Sequence, residues 1–321
     1  MTTPLAYLNG RFIPFSEAAL PLHDAGFVSG ATIVDNARTF RHKLFRWPDH
    51  LTRFRRDCRT CYVSLEAGDE QLTAIAAELV EHNAKLLLPG GELQLVTFAT
   101  PGPLGFYLGE PTNGPATLGM ATYPLPFSRY RRFFTEGVTL AVAGIQSSNV
   151  DDFLAPRVKH RSRLVWHVAE RAINDPKSSC YNPEAVPVVL NQHGVGDTSI
   201  GCVLAVVDET VIRPIPGTVL ESISAKVVSK LCQQVGLRCE KMLFDLRESH
   251  LPEDSPDEKT ASGHISELML AGTGFCLAGV RRFWKGSQDR NYKWPGPVYR
   301  KLLAAWSELV NVDIAGQFTS Q

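Results

Sequence analysis

The stretch Asp151–Asn174 constrains the fold of this chain most, because it places Lys159 directly ahead of a strongly patterned helix. Apolar side chains recur through the stretch at helical spacing, while charged side chains occupy the opposite arc. The apolar positions are Leu164, Val165, Val168, Ala169, Ala172 and Ile173, and the charged positions are Arg161, Arg163, Glu170 and Arg171. Pro176, shortly after Asn174, ends the helix. The pattern predicts a half-buried helix with Lys159 at its entrance.

Lys159 has two interpretations. A lysine that points into a cleft loses hydration near other cations, so its pKa falls and its amine becomes a nucleophile. The same lysine also belongs to a basic run with Arg157, His160, Arg161 and Arg163, and such a run is typical of a solvated face. The residues alone favour the solvated face and leave the nucleophile as the alternative.

Composition restricts the class of partner. At 321 residues the chain is long enough for about two domains. Lysine plus arginine equals aspartate plus glutamate, at 33 each, so neither a nucleic acid nor an anionic membrane is expected as partner. The opening MTTPLAYLNG shows no export signal, and no apolar run approaches a membrane span. We therefore expect a cytoplasmic protein with a small-molecule partner.

The seven cysteines form no spaced framework and suit a reducing compartment. Cys58 and Cys61 have the spacing of a redox pair or half a zinc site, but no second pair accompanies them. We predict that both pack in a core, and we predict no metal site.

The first half of the chain predicts a small mixed unit. Ala6–Phe15 predicts a hairpin turning at Asn9-Gly10, and Thr32–Phe40 with Lys43–Arg46 predicts a second extended pair. A helix follows from Trp47. The remaining predicted elements are a helix over Leu72–Ala84 and strands over Glu92–Ala99 and Val138–Ala143, the last closing the unit. The predicted domain bounds are 1–144, a linker over 145–157, and 158–321.

Four arginines lie on the face of the Trp47 helix opposite its apolar stripe: Arg53, Arg55, Arg56 and Arg59. Such a face is usually solvated. One arginine turned inward would suit a phosphate or a carboxylate. The sequence pattern does not choose which one.

The second half predicts antiparallel strands over Ala185–Leu190, Cys202–Val207 and Val211-Ile212. The glycine-rich loop Gly194–Gly201 carries Asp197, which could serve either a turn or a ligand. Ser222 or Ser224 caps the next helix, which ends at Gly236, and a helix start beside hydroxyls suits an anion. We also predict a turn of small residues at Ala271–Gly274, where backbone could approach a ligand closely. The chain then ends with a helix over Pro295–Val312, which we predict to serve packing.

The order of these signals resembles the class IV, fold-type IV family of pyridoxal-phosphate enzymes. That family includes branched-chain and D-amino-acid aminotransferases and aminodeoxychorismate lyase. The matching segments are Asn9-Gly10, His23–Phe27, Asp35–Arg38, Asp49–Arg53, Lys159–Leu164, Gly194–Gly201, Leu220–Ser224 and Ala271–Thr273. The resemblance extends over almost the whole chain.

The resemblance implies an α+β fold with a small N-terminal α/β domain and a larger C-terminal domain of antiparallel strands and packed helices. It also implies a homodimer, with pyridoxal 5'-phosphate between the domains. Lys159 is implied to be the Schiff-base lysine, and Asp197 the acid that faces the pyridine nitrogen. The residues implied to bind the cofactor are Arg53, Lys159, Asp197, Ser222, Ile223, Ser224, Gly272 and Thr273.

Four positions depart from the family pattern. Asp197 replaces the usual glutamate, Gly201 a common asparagine, Ser222 the usual glycine, and Leu164 the tyrosine of branched-chain enzymes. The resemblance favours transamination between an amino acid or amine and a 2-oxo acid. Elimination of pyruvate by a lyase is the alternative, since the Lys159–Leu164 segment looks most like the lyase version. A degenerate member that binds cofactor without turnover is the non-enzymatic alternative.

Overall fold

The computed structural model describes residues 3–146, 158–248, 250–251, 260–286 and 288–320. It divides into two compact units. Unit 1 comprises Met1–Leu125 with Val158–Ser162, and unit 2 comprises Pro126–Arg157 with Arg163–Gln321.

Unit 1 contains one six-stranded antiparallel sheet. Its strands are β1 (Leu5–Leu8), β2 (Arg11–Pro14), β3 (Ile33–Phe40), β4 (Lys43–Leu44), β5 (Leu93–Thr100) and β6 (Thr117–Pro124). They are ordered β2-β1-β6-β5-β3-β4. The hairpin between β1 and β2 turns at Asn9 and Gly10, both with positive φ, as the sequence predicted.

Three α-helices accompany the sheet of unit 1: α1 (Ala25–Val28), α2 (Trp47–Thr60) and α3 (Asp69–Ala84). Short 3-10 turns cover Phe15–Glu17 and Gly105–Leu108. Leu51 and Phe54 of α2 pack with Leu72 and Leu79 of α3 against the sheet. Cys58 lies in this core and Cys61 packs against it, as predicted, and burial raises the pKa of the Cys58 thiol to about 12.

Side chains alternate between the two faces of β3. Ile33 and Ala37 belong to the core that α2 and α3 cover, and we name this side the helix face. Asp35, two residues from each, lies on the same side. Val34 and Asn36 therefore lie on the opposite side, which we name the second face.

Unit 2 is built on a ten-stranded sheet. Its strands are β7 (Val138–Gln146), β8 (Val186–Leu190), β9 (Gly196–Thr198), β10 (Cys202–Val207), β11 (Thr210–Arg213), β12 (Cys239–Lys241), β13 (His250–Leu251), β14 (Gly263–Gly272), β15 (Cys276–Lys285) and β16 (Gln288–Asn291). Strand pairing runs from β7 through β8, β9, β10, β14 and β15 and back to β7. Six strands thus form a closed ring, which leaves each of them flanked by two partners.

The described residues of unit 2 contain five helices: α4 (Phe127–Thr135), α5 (Leu164–Asn174), α6 (Ile223–Gln234), α7 (Pro297–Val310) and α8 (Ile314–Thr319). Ala169 and Ile173 of α5 pack on Ala141 and Ala143 of β7. Both α6 and α7 pack on β14. The observed mixture of strands and helices is the α+β class that was predicted. No helix in the described ranges is both long and apolar enough to cross a membrane.

Three features differ from the sequence expectations. The strand Val138–Gln146 does not close unit 1, because it pairs in parallel with β8 and β15 of the second sheet. The two compact units divide after Leu125, and most of the predicted linker over 145–157 lies outside the described residues. The apolar stripe of α5 is only partly buried, since Leu164 is 73% exposed and Val168 is also exposed. Among the elements that the sequence did not predict are the strands β6 and β15 and the helix α4.

Candidate active site

The main chain of Lys159 is fixed against β3 in unit 1. The Val34 N–H donates a hydrogen bond to the Lys159 carbonyl oxygen at 3.0 Å, and the Arg161 N–H donates to the Thr32 carbonyl oxygen at 2.8 Å. His160 forms an antiparallel bridge with Ile33 between these bonds. The residues around Lys159 therefore form a short extended segment, which precedes α5.

The side chain of Lys159 lies on the second face. His160 pairs with Ile33 on the helix face, and Val158 is buried in the same core as Ile33. Successive side chains of an extended segment alternate, so the side chain of Lys159 leaves on the opposite side, with that of Val34. Lys159 is half-buried, and its charge acts on His50 of the buried cluster described below.

A buried carboxylate holds the segment from α2. Asp57 Oδ2 accepts a hydrogen bond from the Lys159 main-chain N–H at 2.9 Å. Asp57 is fully buried, and Arg56 donates to its other oxygen at 2.9 Å. Burial raises the pKa of Asp57, while the hydrogen bond from Lys159 and the charge of Arg56 act in the opposite direction.

Three further side chains form a buried charged cluster beside Asp57. Arg53 donates two hydrogen bonds to Asp35, from Nε to Oδ2 at 2.7 Å and from Nη2 to Oδ1 at 2.9 Å. His50 Nδ1 lies 2.7 Å from Asp35 Oδ1. Asp35 is 2% exposed and Arg53 7% exposed, so this is a bidentate ion pair removed from solvent.

The cluster fixes the protonation of its members. Burial alone would raise the pKa of Asp35, but the Arg53 charge and the His50 hydrogen bond outweigh it and hold the pKa below its usual range. Burial also lowers the pKa of His50, and although Asp35 opposes this, the charges of Arg53 and Lys159 add to it. His50 is therefore neutral near pH 7, and its Nδ1–H donates to Asp35.

The four arginines of α2 differ in their surroundings. Arg53 is buried, Arg55 and Arg56 are half-buried, and Arg59 is exposed. Arg53 is thus the arginine that turns inward. Within unit 1, Arg53 pairs with the carboxylate of Asp35, and its contact with a phosphate stays a prediction.

Asp197 lies at the centre of β9 in unit 2. Its Oδ1 accepts a hydrogen bond from the Thr198 N–H at 2.9 Å, and its Oδ2 accepts from the Leu220 N–H at 3.4 Å. Asp197 pairs with Val189 on one side and Cys202 on the other. Its carboxylate is half-buried, and it connects β9 to the segment that enters α6.

The loop after Asp197 is held from α5. The side chain of Arg163 donates to the Ser199 carbonyl oxygen at 2.7 Å, and the Ser199 hydroxyl donates to Glu170 at 2.9 Å. The Thr198 hydroxyl closes the loop on the Gly201 carbonyl oxygen at 2.6 Å. The helix that follows Lys159 thus fixes the loop that carries Asp197.

Two glycines allow this loop to pack against the turn after β14. A Cβ atom at Gly201 would lie 2.8 Å from the Ala271 carbonyl oxygen, and one at Gly272 would lie 2.5 Å from the Ile200 carbonyl oxygen. Both positions therefore require glycine. This contact places the turn at Gly272-Thr273 next to the loop that carries Asp197.

The start of α6 is capped as predicted. The Ser222 hydroxyl accepts a hydrogen bond from the Ala225 N–H at 3.2 Å. Ser222 has φ of −77°, so the backbone does not require the glycine that the family pattern places there. The first-turn N–H groups of Ile223 and Ser224 have no intrahelical acceptor and suit an anion.

The predicted residues thus fall into two groups. Unit 1 brings Lys159 and Arg53 into one hydrogen-bonded region, and unit 2 brings Asp197 next to the segment Ser222–Ser224 and the turn at Gly272-Thr273. The sequence reasoning missed Asp57 and the contact of Asp35 with Arg53. The spacing of Arg53 and Asp57, one helical turn apart on α2, was the available signal.

Comparisons with known proteins show what this chain is similar to. The sequence profile described as amino-transferase class IV matches residues 32–283. Over 77 residues, which are 24% of this chain, the sequence is 34% identical to the D-alanine aminotransferase of Staphylococcus aureus. That match spans 27% of the relative's length.

Two solved structures have a similar fold. The branched-chain amino acid aminotransferase of Escherichia coli superposes with a TM-score of 0.75 at 13% identity, covering 96% of this chain and 94% of that one. The T.th. branched-chain enzyme, solved with pyridoxamine 5'-phosphate, gives a TM-score of 0.71 at 17% identity, covering 96% and 95%.

Proposed function

This chain belongs to the class IV aminotransferases, and we propose that it transfers an amino group between an amino acid or amine and a 2-oxo acid, with pyridoxal 5'-phosphate as cofactor. The aminotransferase names of the similar proteins support this activity. The pyridoxamine phosphate in a structural neighbour supports the cofactor.

The residues of this chain fit such a cofactor. A phosphate suits the first-turn N–H groups and hydroxyl at the start of α6, beside Ile223 and Ser224. The turn at Gly272 brings main chain close to its neighbours without a side chain between them. Lys159 offers the amine of a half-buried side chain, and Asp197 offers a half-buried carboxylate for a ring nitrogen.

When bound, pyridoxal phosphate supplies an electron sink for the bonds at the substrate's Cα. Lys159 would hold it covalently and, once displaced by the substrate amine, carry the Cα proton. Asp197 would hold a proton on the ring nitrogen. The phosphate would be bound by Arg53, Ser222, Ile223, Ser224, Gly272 and Thr273.

The observation that carries the proposal is the two-sided attachment of the Lys159 main chain. Val34 and Asp57 both bond to its peptide groups, one from β3 and one from α2. A lysine on a solvated face needs no such main-chain support, because the exact position of its amine does not affect any reaction. Fixing the main chain directs one amine to one place, as covalent catalysis requires.

Lys159→Ala tests the proposal. We expect the variant to fold and to lose turnover, since a methyl group cannot attach the cofactor. Borohydride treatment followed by denaturation should leave the cofactor attached to the wild-type protein and to Lys230→Ala, an exposed lysine of α6, but not to Lys159→Ala. Cofactor that remains attached to Lys159→Ala would contradict the assignment.

A donor screen distinguishes the alternative reactions. We expect L- or D-amino acids or amines to convert the bound cofactor to its pyridoxamine form, which absorbance spectra follow. Release of pyruvate from 4-amino-4-deoxychorismate without that conversion would indicate the lyase instead. A coloured protein that reacts with no donor and no such substrate would indicate a binder without turnover.

We also propose a homodimer in the cytoplasm. Phe27, Phe106, Tyr107 and Leu108 are each more than half exposed in unit 1. Two main-chain hydrogen bonds hold their segments together, from the Ala25 N–H to the Gly102 carbonyl oxygen and from the Leu104 N–H to the His23 carbonyl oxygen. An exposed apolar cluster is typical of an interface. Phe106→Glu should reduce the sedimentation mass by half at micromolar concentration. The seven free thiols support a reducing compartment.

A further inference from the structure

Two cysteines of unit 2 lie beside one another where the end of α6 meets β12. Cys232 is in the last turn of α6 and is fully buried, and Cys239 is the first residue of β12 and is half-buried. The chain between them turns back on the helix, since the Leu237 N–H donates to the Cys232 carbonyl oxygen at 2.8 Å. The Cys232 thiol donates a hydrogen bond to the sulfur of Cys239. The two sulfurs are therefore in contact, which is the precondition of a disulfide.

The register of β12 places Cys239 on the same face of the sheet as Arg213. β12 pairs in parallel with β11, and Cys239 lies opposite Val211. Paired residues share a face, and so do alternate residues of one strand, so Val211, Arg213 and Cys239 lie on one face. The sulfur of Cys239 accepts hydrogen bonds from Arg213 and from Ser229 of α6. Cys239 is thus surrounded by donors from both elements.

Arg213 is a buried cation that lacks a carboxylate partner. It is 9% exposed, and within the described ranges its Nε has no hydrogen-bond acceptor and no carboxylate forms an ion pair with it. A buried charge is costly unless an opposite charge accompanies it. The thiolate form of Cys239 supplies that negative charge.

This arrangement separates the acidities of the two thiols. The hydrogen bond from Cys232 lowers the pKa of Cys239, and Ser229 and Arg213 act in the same direction and outweigh burial. The same hydrogen bond, together with burial, raises the pKa of Cys232. Cys239 is therefore the thiolate of the pair, and Cys232 is the thiol that donates to it. A partly accessible thiolate beside a second thiol is the arrangement of a redox-sensitive cysteine.

The C-x-x-C pair of α2 lacks these features. Burial raises the pKa of Cys58 to about 12 and also raises the pKa of Cys61. Both are thiols at pH 7, and the thiolate is the reactive form. The pair with the spacing of a redox motif is thus the less reactive of the two pairs.

We propose that Cys239 and Cys232 are an oxidative modification site for hydrogen peroxide, in which Cys239 reacts first and Cys232 then closes a disulfide. The proposal does not depend on transamination. In a reducing compartment such a disulfide is transient, because cellular thiols reduce it again.

The reaction has two steps. The Cys239 thiolate attacks one oxygen of the peroxide, so that an S–O bond forms, the O–O bond breaks and hydroxide leaves and takes a proton from solvent. The Cys232 sulfur then attacks the Cys239 sulfur, so that the S–S bond forms, the S–O bond breaks and the departing hydroxide takes the Cys232 proton. Two thiols are oxidised to a disulfide, and one peroxide is reduced to two molecules of water.

Peptide mapping of the folded protein tests the proposal. Trypsin cuts after Lys230, Arg238 and Lys241, so Cys232 and Cys239 fall in separate peptides, and a disulfide between them gives one linked pair. After treatment with an equimolar amount of hydrogen peroxide, we expect this linked pair and the loss of two of the seven free thiols. Dithiothreitol should restore both thiols.

Single substitutions separate the two roles. In Cys232→Ser the first step is intact, so the sulfenic acid of Cys239 should persist, react with dimedone and proceed to sulfinic acid. Cys239→Ser should form neither the disulfide nor a dimedone adduct at Cys232. Cys61→Ser is the matched control and should give the same linked pair as the wild type. Thermal unfolding confirms that each variant is folded.

Alkylation kinetics test the thiolate without a variant. At pH 6, iodoacetamide should modify Cys239 about tenfold faster than Cys180, which is also half-buried. The lower nucleophilicity of an acidic thiolate offsets only part of its larger thiolate fraction. Arg213→Gln removes the buried charge and should reduce this ratio, whereas Arg213→Lys should keep most of it.

Free thiols at both positions after peroxide treatment of the folded wild type would overturn the proposal. A Cys239 that is alkylated no faster than Cys180 would also overturn it, and so would a linked pair that forms only in urea. A dimedone adduct at Cys232 in Cys239→Ser would show that Cys232 reacts with peroxide by itself, which contradicts the assigned order.

Discussion

The carboxylate of Asp57 on α2 accepts a hydrogen bond from the main-chain N–H of Lys159, 102 positions later in the sequence, at 2.9 Å. The acceptor is buried and the bond is between secondary elements, so it fixes where the extended segment of Lys159 begins. The position of the reactive amine thus depends on a residue that never meets the substrate.

Asp57→Ala should loosen this segment. Loss of the acceptor leaves the main-chain N–H of Lys159 unpaired, so the free energy of unfolding should fall by about 1–3 kcal/mol. We also expect a lower kcat, with the KM for the donor little changed. Asp57→Asn keeps an acceptor oxygen and should stay near wild type in kcat. Urea titration and steady-state kinetics measure both. Asp69→Ala, an exposed acid paired with Arg55, is the control and should change neither. Equal effects of Ala and Asn at position 57 would show that the charge matters and the bond does not.

Arg53→Ala should destabilise the protein even without cofactor. The change leaves the Asp35 carboxylate buried without its bidentate partner, and breaking such a pair costs about 3–5 kcal/mol. Arg59→Ala, on the exposed side of the same helix, should cost less than about 0.5 kcal/mol. Denaturant unfolding with and without pyridoxal phosphate separates the two roles of Arg53. If it also binds phosphate, added cofactor should stabilise the variant less than the wild type.

Stability should fall as the pH is lowered through two windows. The pKa of His50 is lower in the folded state than its usual value of 6.5, so its contribution is present above pH 6.5 and lost as the pH falls below it. The pKa of Asp35 is also lowered, from 3.8, so its contribution is lost below about pH 4. Each group contributes a slope of at most about 1.4 kcal/mol per pH unit.

His50→Asn isolates the upper window, because an amide can still donate to Asp35 but does not titrate. Unfolding free energies of the wild type and the variant between pH 4 and 8 should converge in slope above pH 6.5 and diverge below it. Parallel curves over the whole range would contradict the assignment of that window to His50.

Asp197→Asn should abolish most activity while leaving the fold intact. The change preserves shape but removes the charge that would keep the cofactor ring nitrogen protonated. A barrier increase of about 3–5 kcal/mol corresponds to a rate loss of a hundred- to several-thousand-fold. Asp197→Glu should retain measurable activity, since it restores the usual family residue. Single-turnover kinetics with a reactive donor measure both, and an unimpaired Asp197→Asn enzyme would make Asp197 a turn residue.

Local signals predicted most elements of this fold. Several turns and helix ends follow from side chains that are only a few positions apart. They are the Asn9-Gly10 turn, the start of α2 at Trp47, the Ser222 cap and the end of α5 at Asn174. Such features depend on contacts that are close in sequence, and the sequence displays both partners together.

Pairings over long separations were not predictable from pattern. The strand Val138–Gln146 is an apolar run, and its pattern does not indicate which of the two sheets it joins. Leu164 fits an apolar helical stripe but is exposed, because periodicity identifies a stripe and not what covers it. Arg53 was selected by resemblance, whereas its partner Asp35 lies 18 positions away on another element.

Unit 1 is discontinuous in sequence, since Val158–Ser162 completes it after a stretch that belongs to unit 2. A nascent chain that has reached Leu125 therefore lacks the partner of Val34, the hydrogen-bond donor to Asp57 and the buried side chain of Val158. The ribosome must add the residues up to Ser162 first, which takes about 2–7 s at usual elongation rates. The segment 1–125 released alone should therefore be sensitive to proteases. The segment that carries Lys159 is the last part of unit 1 to be synthesised.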